Sequence, residues 1–216
     1  MRVIVFGSTG MVGQGVLREC LLDPGVTEVI TVVRKSSGKA EPKLREIVHA
    51  NFEDFSDLNV DADACFWCLG ISSTGLDEAA YTKITHDYAI AAARVLAKPT
   101  CTLVFVSGVG ADGNAMWARV KKRTEDDLAA MPWKAAFVFR PGVIRALHGI
   151  RSRTRLYNAL YPLIWPVMQV MRLVAPSHIT TTERIGRAML HCARDGYPSK
   201  ILYAKDMNAA SRPSES

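Results

Sequence analysis

Gly7-Ser8-Thr9-Gly10-Met11-Val12-Gly13 is the stretch whose residue types and spacing carry the clearest chemistry. It follows the apolar run Arg2 to Phe6 directly and leads into a helix-like pattern from Met11 to Leu22. A first glycine permits a tight turn out of a strand, and a second lets backbone amides approach an anion with no Cβ in the way. A third allows a helix to pack closely on a sheet. Amides at the start of the helix then stabilise the negative charge. Between a strand and a helix this spacing predicts a cradle for the pyrophosphate of a dinucleotide, formed by Gly7, Ser8, Thr9, Gly10, Met11, Val12 and Gly13. An NAD-selective site usually presents a carboxylate roughly 20 residues further on. Here the second strand ends in Val32-Val33-Arg34-Lys35. Arg34 and Lys35, with the hydroxyls of Ser36 and Ser37, suit a 2′-phosphate, so NADP(H) is expected in preference to NAD(H).

Other chemical signals are weaker. Cys65-Phe66-Trp67-Cys68 has redox-motif spacing but falls inside a strand pattern, where positions i and i+3 point to opposite faces. His148, His178 and His191 are widely spaced without clustered cysteine or acidic partners, so no metal site is expected. No nucleophile elbow of the GxSxG kind occurs.

These residues must be positioned by regular elements. Strand-like runs recur at Arg2 to Phe6, Val29 to Val33, Glu46 to His49, Ala64 to Leu69, Thr102 to Val106 and Ala135 to Phe139. Helical spacing of apolar residues appears at Met11 to Leu22, Asp77 to Ala97 and Ala115 to Met131. The alternation implies right-handed βαβ units in an α/β fold, a Rossmann-type doubly wound parallel sheet. A helix from Thr182 to Arg194 and a strand from Lys200 to Tyr203 follow. The expected organisation is one nucleotide-binding domain over 1–205 with a small C-terminal substrate or interface extension. Residues 145–180 form a basic, apolar helical insertion and 206–216 a polar tail that frays from Ser211 onward.

The chain has 216 residues, 49% of them apolar, and a formal net charge of +6, which suits one folded domain rather than a disordered chain. Five cysteines, an odd number in a chain that needs no stapling, and no secretory pattern at the N-terminus predict free thiols in the cytoplasm. From Leu128 to Thr182 there is no Asp or Glu, while Lys134, Arg140, Arg145, Arg151, Arg153, Arg155 and Arg172 are all basic. Within this stretch the apolar run Leu156 to Met171 is broken by Pro162 and Pro166, too short for the roughly 20 residues of a membrane span. It suits a core or oligomer-interface helix, peripheral membrane contact through 151–176, or a lid over a lipophilic ligand. No nucleic-acid-binding pattern accompanies the charge.

The glycine turn, Cys68-Leu69-Gly70, Val106-Ser107-Gly108-Val109-Gly110-Ala111-Asp112, Arg119-Val120-Lys121 and Arg140-Pro141-Gly142 together resemble the short-chain dehydrogenase/reductase superfamily. The resemblance is to its atypical members, the Tat-interacting-protein-like and NAD(P)H-binding epimerase-like proteins, and covers roughly residues 1 to 205. It implies that Asn51 and Phe52 border adenine, that Leu69, Gly70 and Ile71 border the adenosine ribose, and that Pro141, Gly142 and Val143 line the nicotinamide pocket. It also implies that Lys121 holds the cofactor ribose and that Ser107 lies at the catalytic serine region. Family enzymes place a tyrosine four residues before this lysine, on the same helical face. Here that residue is Trp117, whose indole offers only a nonacidic N–H. Trp117 can stack on a substrate or nicotinamide, plug the acid site or pack on its helix. Tyr81, His86 and Tyr88 lie on the preceding helical region as other proton-carrying side chains.

The resulting expectation is an NADP(H)-binding oxidoreductase or epimerase acting on a small, apolar substrate, with Ser107, Trp117 and Lys121 beside the reacting atoms. The competing reading is a noncatalytic NADPH-sensing module that engages a protein or membrane. The family resemblance also makes a homodimer plausible.

Overall fold

Unbroken apolar runs such as Val3-Ile4-Val5-Phe6 are stable only where both faces of a sheet are covered. The computed structural model, which describes residues 1–150 and 178–212, covers them in this way. Its strands are β1 (Arg2–Phe6), β2 (Glu28–Val33), β3 (Leu44–Val48), β4 (Ala64–Trp67), β5 (Thr102–Val106), β6 (Ala135–Arg140), β7 (Val143–Arg145), β8 (Ile179–Thr181) and β9 (Ile201–Tyr203). Seven of them form a parallel sheet in the order β3-β2-β1-β4-β5-β6-β9, while β7 and β8 pair in parallel outside it. The order reverses between β1 and β4, and a crevice at the carboxyl ends of these strands is where such sheets receive ligands. The expected doubly wound α/β architecture is therefore present, with β3 starting two residues before the expected run and β4 ending two residues earlier.

Each face of the sheet carries its own core. Val3, Val5, Phe66, Val104 and Phe139 pack with α1 (Met11–Leu22) on one side. Ile4, Phe6, Trp67, Leu103 and Phe105 pack on the other. That second face is covered by α2 (Glu78–Thr82), a π-helical turn (Lys83–Asp87), α3 (Tyr88–Leu96) and α4 (Met116–Ala129). Cys65 belongs to the second core and Cys68 packs against the first, as strand alternation requires.

The expected single helix over Asp77 to Ala97 is interrupted by the π-helical turn. Asp77 caps its start by accepting the Ala80 N–H at 2.7 Å. The extra residue in the turn carries His86 to α4, where Nε2 lies 2.8 Å from Asp127 Oδ2 and Nδ1 lies 2.7 Å from Asp87 Oδ1.

The C-terminal part departs further from expectation. α5 (Thr182–Arg194) and α6 (Ala204–Ala210) complete the first layer, so residues 204–210 form a helix rather than a polar tail. Met207 is buried there, and the Asn208 side-chain amide donates to the Ile179 carbonyl at 2.9 Å. Burial of the Met207 side chain outweighs the polar flanking sequence. Most of the basic apolar insertion expected over 145–180, including 151–176, lies outside the described residues.

α1 and α5 meet through two glycines. A Cβ on Gly15 would lie 2.5 Å from Thr182 Cβ and 2.8 Å from the Thr182 carbonyl oxygen, and one on Gly186 would lie 2.8 Å from Glu19 Cγ. Gly→Ala in a helix interior ordinarily stabilises by up to about 1 kcal/mol. At Gly15 the overlap with backbone reverses the sign. Gly15→Ala should lower the thermal midpoint by several degrees, as read by circular dichroism, corresponding to about 1–3 kcal/mol. Gly70→Ala, where a Cβ meets nothing within 4 Å, should not.

Candidate functional site

The glycine turn joins β1 to α1 with no room for side chains at two of its three glycines. Gly7 has φ +75°, and a Cβ there would lie 2.5 Å from the Leu69 nitrogen and 2.7 Å from the Cys68 carbonyl oxygen. A Cβ on Gly13 would overlap the Gly7 carbonyl oxygen. Gly10 caps α1 without a side-chain hydrogen bond, and no acidic residue occupies the first turn. The Gly10 N–H donates to the Gly7 carbonyl at 2.9 Å, and Gln14 N–H donates to Gly10 at 2.8 Å. The amides of Met11, Val12 and Gly13 thus precede the first intrahelical bond and are left to bind an anion. Ser8 is buried, and the Thr9 carbonyl accepts from Gln14 Nε2 at 3.1 Å. This donor set fits the diphosphate of a nicotinamide dinucleotide.

Arg34 and Lys35 follow β2 on the surface, and neither has an ion pair or hydrogen bond with another described residue. The serines beside them are otherwise engaged. Glu46 on β3 accepts from the Ser36 hydroxyl at 2.6 Å and the Ser37 N–H at 2.8 Å, and these bonds hold its carboxyl below the usual range against the opposing effect of burial. Asn51 is exposed, whereas Phe52 is buried with ring centroids 5.4 Å from Phe55 and 5.9 Å from Tyr88. Phe52 is therefore an aromatic core residue rather than an open border for adenine. Leu69 adjoins Gly7 and is followed by the exposed Gly70 and Ile71.

A buried ionic cluster organises the loops after β5 and β6. Arg140 is only 1% exposed and Glu125, on α4, only 3%. Arg140 Nε donates to Glu125 Oε1 at 3.1 Å and Nη2 to Glu125 Oε2, a forked pairing that matches guanidinium to carboxylate. Arg140 Nη1 reaches Asp112 Oδ2 and the Tyr203 hydroxyl, the latter at 3.3 Å. The hydrogen bond from Arg140 is the main reason the Asp112 carboxyl is held low. Ser107 donates its hydroxyl to Glu125 Oε1 and its N–H to the Phe139 carbonyl at 2.7 Å. The hydroxyl expected to orient a substrate is thus committed to this cluster. Arg140, Asp112 and Glu125 together were not expected as a unit, although the first two lie in the motifs that carry the family resemblance.

Trp117 and Lys121 lie one turn apart on α4. The Trp117 ring rests against Gly110, whose φ is +90° and whose Cβ position lies 3.2 Å from Trp117 Cη2. Lys121 Nζ stands 5.6 Å from the Phe105 ring centroid, a cation–π contact. Burial lowers the Lys121 ammonium to about 8, partly opposed by Glu125. Pro141 is buried and its carbonyl accepts the Val109 N–H at 3.3 Å. Gly142 closes on the His178 carbonyl oxygen, 3.0 Å from its Cβ position, and Val143 begins β7. Val109 and Ile71 expose apolar side chains at the strand ends. Away from this crevice, His148 Nε2 meets Glu183 Oε2 at 2.7 Å beside Glu19, but Arg18 and Arg187 already neutralise Glu19.

Two outcomes follow. Arg140→Met strands the Glu125 carboxylate in the core and should cost about 3–5 kcal/mol in urea denaturation. Arg140→Met combined with Glu125→Leu should recover most of that loss. Lys121, bound more weakly to its proton when folded than when unfolded, should make wild-type stability rise between pH of about 8 and 10. Lys121→Met should remove that rise, read by denaturation at each pH.

The fold matches known dehydrogenases and epimerases. An oxidoreductase of the short chain dehydrogenase/reductase family from Burkholderia thailandensis superposes with TM-score 0.72 at 15% identity, over 97% of this chain and 92% of that one. UDP-glucuronic acid 4-epimerase from Bacillus cereus, solved in complex with NAD, gives 0.65 at 12% identity, over 94% and 76%. No family model matches the chain. Among sequence relatives, protein fmp52-1, mitochondrial, of Aspergillus oryzae is 32% identical over 167 residues, 72% of this chain and 69% of the relative. Protein FMP52, mitochondrial, of Eremothecium gossypii is 28% identical over 150 residues, 67% of this chain and 66% of the relative. The chain thus matches about two thirds of the length of these relatives. Their names overturn the expected cytoplasmic location, which rested on cysteine usage and the N-terminal pattern, features that a reducing compartment other than the cytosol also satisfies. No helix among the described residues is long and apolar enough to cross a membrane. On this shared sequence, carried by a short-chain dehydrogenase/reductase and epimerase type of fold, the chain belongs to the FMP52 protein family.

Proposed function

We propose that this chain is an NADP(H)-preferring oxidoreductase or epimerase of the Tat-interacting-protein-like and NAD(P)H-binding epimerase-like branch, acting on a small, apolar substrate. The observation that carries the reading is the turn at Gly7 to Gly13, where no side chain fits on Gly7 or Gly13 and the first amides of α1 are left to an anion. When bound, a nicotinamide cofactor supplies the hydride chemistry. The residues of the chain do the rest. Met11, Val12 and Gly13 amides bind the diphosphate, and the Arg34 and Lys35 side chains, which have no ion pair with another described residue, bind a 2′-phosphate. Asn51 borders adenine, Leu69, Gly70 and Ile71 the adenosine ribose, and Pro141, Gly142 and Val143 the nicotinamide. Lys121 holds ribose hydroxyls. Trp117, Val109 and Ile71 supply apolar walls that favour a lipophilic substrate over a sugar.

Trp117 also favours a second reading, an NADPH-responsive binding module without turnover, because its indole N–H transfers no proton at neutral pH. NADPH oxidation with a panel of aldehydes and ketones separates the two: turnover supports the enzyme, and binding without turnover supports the module.

Calorimetric titration tests cofactor choice. NADPH should bind at least tenfold tighter than NADH. Arg34→Ala with Lys35→Ala should weaken NADPH roughly 10- to 100-fold, the loss of a charge-assisted contact, and leave NADH nearly unchanged. Equal affinities in the wild type would remove the 2′-phosphate role from Arg34 and Lys35.

A further inference from the structure

We propose that the cavity between the carboxyl-terminal ends of α1, α5 and α6 binds an alkyl carboxylate of medium chain length, Arg212 seating the head and Leu22, Leu190 and Ala210 the chain. The cavity lies at the opposite end of α1 from the glycine turn, and the rise of a helix puts Leu22 roughly 16 Å along the axis from Met11. It is therefore separate from the cofactor crevice and does not depend on the dinucleotide reading.

The cavity measures about 460 Å³, a size that suits a small organic molecule. Its floor is apolar. Leu190 and Ala210 are buried, whereas Leu22 is 61% exposed, the most exposed large apolar side chain among the described residues. A chain laid along these three would remove Leu22 from water. The Ser211 hydroxyl beside them is committed, because it donates to the Asn208 carbonyl at 2.9 Å.

The rim is charged, and its pairing is uneven. Glu19 is held by Arg18 and Arg187, and Asp23 by Arg194. Arg187 also reaches Glu183 at 2.9 Å, and His191 Nδ1 lies 3.1 Å from Asp195 Oδ2. Lys43 comes to the same end of α1, but its Nζ donates to the Asp23 carbonyl at 2.8 Å. Every carboxylate of the lining thus has a basic partner. Among the basic side chains of the lining, Arg212 alone has no ion pair or hydrogen bond with another described residue, although its backbone N–H donates to the Ala209 carbonyl at 3.2 Å.

One unmatched guanidinium beside an apolar floor selects a ligand with one negative head and an apolar body. The fork of guanidinium N–H donors fits a carboxylate. A cation would have to displace an existing pair, and a sugar would set hydroxyls against Leu22 and Leu190 without partners.

The test follows the amide resonances of the isotopically labelled full chain by nuclear magnetic resonance as sodium octanoate is added. Shifts should concentrate at Leu22, Asp23, His191, Ser211 and Arg212 and saturate with a dissociation constant of about 0.1–1 mM. Acetate has the head without the chain, and octylammonium has the chain with the opposite charge. At equal concentration each should move these amides less than about one fifth as far. Arg212→Ala and Leu22→Gln alter exposed side chains, and each should weaken octanoate about tenfold. No saturation below about 10 mM, shifts centred on residues 8–14 instead, octylammonium binding as tightly as octanoate, or full affinity in either variant would each overturn the assignment.

Discussion

Nothing larger than hydrogen fits on the Cα of Gly7 or Gly13, and the candidate site is built around that constraint. The Gly7 backbone lies against the chain leaving β4, and Gly13 lets α1 descend onto the turn itself. Together they place the first amides of α1 at the point where the strand order reverses. The same economy of side chains holds at the far side of α1, where Gly15 and Gly186 let α5 approach. Two glycine contacts on one helix, at its start and midway along, fix both its distance from the sheet and its distance from its neighbour.

The other half of the crevice is ordered by charge. Arg140 stands at the end of β6 and Glu125 on α4, so their pairing ties strand to helix inside the core, and Asp112 and Ser107 join from the β5 to α4 connection. Buried pairs of this kind contribute little net stability against an apolar substitute but penalise any arrangement that separates them. The cluster therefore sets the position of α4, and with it Trp117 and Lys121, relative to the strand ends. Lys121 also feels the cluster electrically through Glu125.

The sequence announced whatever depends on local pattern. Runs such as Val3 to Phe6 and the spacing of Gly7, Gly10 and Gly13 reveal strand, turn and helix because each is dictated within a few residues. What escaped it depends on long-range pairing. Ser107 reads as a strand-end hydroxyl, but its partner Glu125 is reached only through the fold. Glu46 on β3 takes Ser36 and Ser37 from the loop after β2, and Phe52 turns inward to an aromatic cluster that no local periodicity marks. The helix at Ala204–Ala210 is hidden by its polar flanks, since Met207 and Ala210 are its main buried anchors. The compartment was misread for another reason: cysteine usage reports redox conditions, not an organelle.

Shared sequence places this chain in the FMP52 family and its fold is of the dehydrogenase and epimerase type, and Trp117 stands where the resemblance implies a tyrosine. Hydrogen–deuterium exchange with and without saturating NADPH tests the central claim most directly. Exchange should slow across residues 8–14, where the α1 amides meet the diphosphate, and stay unchanged at the far end of α5. Protection appearing elsewhere while residues 8–14 exchange as before would contradict the account.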